Sequence, residues 1–66
     1  MIQKFYVYLK KPLGFFGGTI IEIFAHKAIS LPESVQFVYD GNNTLVGEFY
    51  KSEIKGWKRQ TGTLFP

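Results

Sequence analysis

The sequence predicts an all-β fold, and three observations predict it. Aromatic and β-branched residues dominate, with seven Phe, four Tyr, one Trp and six Ile against one Met and two Ala, a balance that suits a pleated surface better than a helix. The first segment alternates: Phe5, Val7 and Leu9 fall on one side, Lys4, Tyr6, Tyr8 and Lys10 on the other. The stretch from Ser34 to Trp57 reads as two strands joined by Asp40-Gly41-Asn42-Asn43, followed by a third strand.

Taken in order, Ile2 to Leu9 is a half-buried strand. Lys10 to Gly18 breaks it, because Pro12 removes a backbone donor and three glycines loosen the chain, so a long loop is expected there. Thr19 to Ala28 is expected as a strand, since β-branched Ile20, Ile21 and Ile23 follow Gly-Gly with no Ser, Asp or Asn cap. Its faces would be Ile21, Ile23 and Ala25 against Ile20, Glu22, Phe24 and His26. The alternative is a helix over about 19–28 packed on a four-stranded antiparallel sheet, an α+β domain. Leu31-Pro32 signals a turn, and Val35 to Tyr39 the next strand. Asp40 to Asn43 supplies residues that tolerate positive φ, as a short hairpin often requires. Thr44 to Tyr50 returns, Lys51-Ser52-Glu53 is one polar half-turn, and Ile54 to Lys58 closes the series. Gly56 within that last strand marks a bulge or a close backbone approach.

This order resembles that of a five-stranded SH3-like or Sm-like barrel. The likeness rests on Phe49-Tyr50-Lys51-Ser52-Glu53-Ile54, where such a barrel places a single 3₁₀ turn between its fourth and fifth strands. The acidic motif and paired tryptophans of proline-binding SH3 domains are absent, as is the N-terminal helix usual in Sm-like RNA-binding proteins. The resemblance therefore implies an architecture and carries no ligand with it.

A chain of 66 residues is one domain, here 1–59, with 60–66 as a C-terminal tail or short edge segment. Without cysteines, stability must come from packing, within the chain or with a second copy. The N-terminus lacks the long apolar run of a secretory signal, and the longest uncharged stretch, Pro12 to Ile21, falls well short of the roughly 20 apolar residues of a membrane helix. A cytoplasmic protein with no membrane partner is expected.

Catalysis is not expected. His26 is the only histidine, and Glu22, four positions earlier, is the one acid spaced to join it, whereas a metal site needs three or four ligands. No phosphate loop occurs, so no cofactor, metal or catalytic residue is assigned and the chain reads as a noncatalytic binding module. Two partners remain open. Lys55, Trp57, Lys58 and Arg59, extended by Lys10, Lys11, Tyr6 and Tyr8 if the first strand neighbours the last, suit single-stranded nucleic acid: cations offset phosphate repulsion and a stacked base contributes about 1–3 kcal/mol. A protein partner or a homodimer is suggested by apolar groups opposite the core positions, namely Tyr6, Tyr8, Ile20, Phe24, Val38, Val46 and Tyr50, and by a Phe15-Phe16 lip in the long loop.

Overall fold

The computed structural model describes residues 1–12, 18–42 and 44–65. Six strands form two three-stranded antiparallel sheets: β1 (Gln3–Leu9), β2 (Ile20–Ala25) and β6 (Ile54–Arg59) in the order β2-β1-β6, and β3 (Lys27–Ser30), β4 (Ser34–Tyr39) and β5 (Thr44–Tyr50) in the order β3-β4-β5. A 3₁₀ turn, Lys51–Glu53, joins β5 to β6.

The all-β reading holds, but the expected closed five-stranded barrel does not. Among the described residues no ladder joins the two sheets. Thr19 to Ala28 is neither one strand nor a helix. The chain breaks at His26, and the halves change partners, β2 pairing with β1 and β3 with β4. Distant groups hold the break: the His26 N–H donates to the Val38 carbonyl at 3.0 Å, and the His26 carbonyl accepts from the Gln3 side-chain amide at 3.1 Å. Both backbone groups freed by the bend are thus satisfied. The ring is fixed as well, Nδ1 accepting from the Asp40 N–H at 3.1 Å and the imidazole lying edge-on to Tyr39.

Alternation along β1 buries Phe5, Val7 and Leu9, and β2 adds Ile23 and Ala25. Val35 and Phe37 of β4 close the core from the other sheet, with Ile54 and Trp57 of β6 beside them. Three rings form its centre. Phe5 lies 5.1 Å from Phe37 and 6.3 Å from Trp57, and Phe37 meets Trp57 edge-to-face at 5.9 Å. Tilted and edge-to-face pairs of this kind add about 0.5–1.5 kcal/mol each beyond area burial.

Asp40 to Asn43 links β4 and β5, with Tyr39 opposite Thr44. Gly41 does not take the left-handed conformation anticipated for it, so its lack of a side chain is not what permits the turn. Asn42 Oδ1 instead accepts from the Thr44 N–H at 3.2 Å, a local bond typical of turn asparagines. Asn43 lies outside the described residues.

Candidate binding face

The β1 ladders assemble the outward face of the first sheet row by row. Lys4 stands opposite Phe24; Tyr6 lies between Glu22 of β2 and Lys58 of β6; Tyr8 lies between Ile20 and Gly56. Because side chains alternate, these residues share the side away from the Phe5–Val7–Leu9 core. Tyr6 and Tyr8 are half-buried, whereas Ile20 and Phe24 on the edge strand are 53% and 51% exposed. Lys4 draws the face together: its Nζ is 3.5 Å from Glu22 Oε1, 5.5 Å from the Phe24 ring centre and 5.8 Å from that of Tyr6.

Trp57 corrects the nucleic-acid platform. It is only 7% exposed and lies among Phe5, Phe37 and Phe65, so it offers no free ring for a base. The basic cluster around it also divides. Register shifts between Tyr8 and Leu9, with Tyr8 opposite Gly56 and Leu9 opposite Ile54, leaving Lys55 as the extra residue of a bulge. Lys58 pairs across from Tyr6 and faces outward, while Arg59 pairs across from Phe5, on the opposite side of the strand. Consecutive strand residues point apart, so a cluster in the sequence becomes two faces in the fold. Lys10 and Lys11 are exposed beyond the far end of β1, beside the 3₁₀ turn, where the Lys10 N–H donates to the Glu53 carbonyl at 3.1 Å. Phe15 and Phe16 lie outside the described residues.

Of the apolar positions expected opposite the core, Ile20, Phe24, Val46 and Tyr50 are exposed. Val38 is corrected: at 6% exposure it is buried, lying in the central strand of its sheet between Lys27 and Leu45. The Glu22–His26 pairing does not form, since Glu22 serves Lys4 and His26 serves Asp40. Among the described residues no group of three or more His, Asp or Glu gathers as metal ligands, and no helix is long and apolar enough to cross a membrane.

Residues 60–66, expected as a C-terminal tail or short edge segment, meet β6 at one residue. Phe65 bridges to Trp57 through two backbone hydrogen bonds, Trp57 N–H to Phe65 carbonyl at 2.9 Å and Phe65 N–H to Trp57 carbonyl at 2.8 Å. Their rings stack at 4.8 Å and 24°. Gly56 was legible as a site of close approach, but the segment that approaches it was not. Comparison with known proteins adds no likeness to this geometry: no family model matches, and neither a curated protein nor a solved structure matches the chain significantly.

Proposed function

We propose that this chain is a noncatalytic protein-interaction module that self-associates through the outward face of β2-β1-β6, on an open, SH3-like arrangement of strands. The bent β2–β3 passage, the 3₁₀ turn before β6 and the antiparallel pairing of β1 with β6 support that architecture. The observation that carries the functional reading is the outward exposure of Ile20 and Phe24 beside Tyr6 and Tyr8, with Trp57 withdrawn into the core. Edge-strand aromatic and aliphatic groups of this size gain by being covered.

Charge favours a second copy over a polyanion. Lys4 is already paired with Glu22, while Lys58 has no ion-pair partner among the described residues, and a face carrying both signs can complement itself across a two-fold axis. Sedimentation velocity over a range of concentrations tests this. Concentration-dependent dimer in the parent chain, reduced in Phe24→Ser, is expected; a strict monomer at millimolar concentration contradicts it.

Nucleic-acid binding stays as a second reading on one observation, the placement of half-buried Tyr6 between Lys4 and Lys58 along adjoining rows. An oligonucleotide titrated at two salt concentrations separates the readings, because phosphate-led binding weakens steeply with salt.

A further inference from the structure

We infer that the free edge of β6 at Gly56 and Trp57 is a peptide-binding seat, that its ligand is an extended segment carrying a Leu-Phe-like apolar and aromatic pair, and that Thr63–Phe65 of the same chain is its resident, displaceable occupant. The inference rests on the protein-interaction reading but concerns the β6 edge, where Leu64 covers Gly56 at the end of the outward Ile20–Tyr8 row.

Four features of the molecule support it. The segment adds to β6 as a peptide adds to an open sheet edge, through reciprocal backbone hydrogen bonds between Trp57 and Phe65. Main-chain pairing of this kind accepts any extended backbone, and side-chain pockets select among them. Selection here has two parts. The Phe65 ring stacks on Trp57 at 4.8 Å, and Leu64 lies over Gly56, its Cγ and Cδ1 at 3.2 and 3.1 Å from where a Cβ would stand.

Gly56 is what makes the seat. A Cβ on that residue would run into the Phe65 carbonyl oxygen, which is backbone and cannot rotate away. The absent side chain is therefore a requirement of the occupied edge.

The resident is held incompletely. Leu64 and Phe65 remain 56% and 48% exposed, and one residue pair makes both ladder bonds. The turn before it, Gln60 to Gly62, is secured by the Gly62 N–H donating to the Arg59 carbonyl at 3.0 Å. A segment that is half-exposed and minimally paired belongs to the low-stability end of a fold, from which exchangeable elements are drawn.

The test uses the intact chain and the capped peptide Gln-Thr-Gly-Thr-Leu-Phe, which copies residues 60–65 and contains no tryptophan, so the emission of Trp57, the one tryptophan of the chain, reports binding. Phe65→Ala weakens the resident and should bind the peptide about tenfold more tightly than the parent, because the competent state is no longer masked. Adding Gly56→Val to Phe65→Ala should abolish binding, and a peptide with its Phe replaced by Ala should bind neither protein. Peptide affinity that is no higher for Phe65→Ala than for the parent overturns the inference. So does unfolding of Phe65→Ala, which would make the segment part of the core. Sedimentation of the same samples keeps the two proposals apart: a dimer that persists without peptide binding removes the seat alone, and a dimer that dissociates on Phe65→Ala shows exchange between copies and overturns displacement by a separate peptide.

Discussion

The two sheets present unlike outward faces built on the same two-residue alternation. On β3-β4-β5 the centre is polar and tied: the Ser34 hydroxyl and the Gln36 amide both donate to Glu48 Oε2, at 2.9 and 3.1 Å, and Lys27 pairs with Asp40 at 3.2 Å. Its exposed apolar groups lie along both edges, Ile29 on β3 and Leu45, Val46 and Tyr50 on β5. On β2-β1-β6 the central strand carries Tyr6 and Tyr8, and the edge strand β2 carries Ile20 and Phe24, with the Lys4–Glu22 ion pair beside them. One sheet has a polar, tied centre; the other has an aromatic one.

Substitutions can break or sharpen that contrast, and the largest effect removes the floor the faces share. Phe37 is fully buried and touches the Phe5, Trp57 and Phe49 rings, so Phe37→Ala should cost about 3–5 kcal/mol in a denaturant melt and abolish both faces together. Next, Gly56→Val should cost about 1–3 kcal/mol by forcing the Phe65 carbonyl off β6, seen as loss of proton contacts between the Phe65 and Trp57 rings by NMR.

Removing one carboxylate from each face compares them directly. Glu48→Ala strips the buried Ser34 hydroxyl of its acceptor and should cost about 1 kcal/mol. Glu22→Ala breaks a pair whose glutamate side chain is 54% exposed, and should change the melt by less than about 0.5 kcal/mol. Equal losses at the two sites would erase the distinction drawn between the faces. Phe24→Ser, smallest of all in stability at about 0.5 kcal/mol or less, should act on association alone.

Local pattern carried much of this fold. The β1 alternation, the hairpin from Val35 to Tyr50 and the polar half-turn at Lys51–Glu53 each depend on residues within a few positions of one another. The His26 break does not. Its cause is Gln3, Val38 and Asp40, brought there by folding, while Thr19 to Ala28 remains strand-like on both sides of the break. The candidate face divided the same way. Ile20, Phe24, Tyr6 and Tyr8 were legible from period two, whereas the enclosure of Trp57 and the parting of Lys58 from Arg59 depend on register and on a bulge at Lys55. The seat at Gly56 needed a contact with Phe65, nine residues away across a turn, which no spacing rule announces.

Following backbone amide resonances of the full chain on serial dilution tests the contrast most directly. The account predicts concentration-dependent shifts along Lys4 to Tyr8 and Ile20 to Phe24, with Ser34, Gln36 and Glu48 unmoved. Shifts centred on β4 and β5, or none at any concentration, would contradict it.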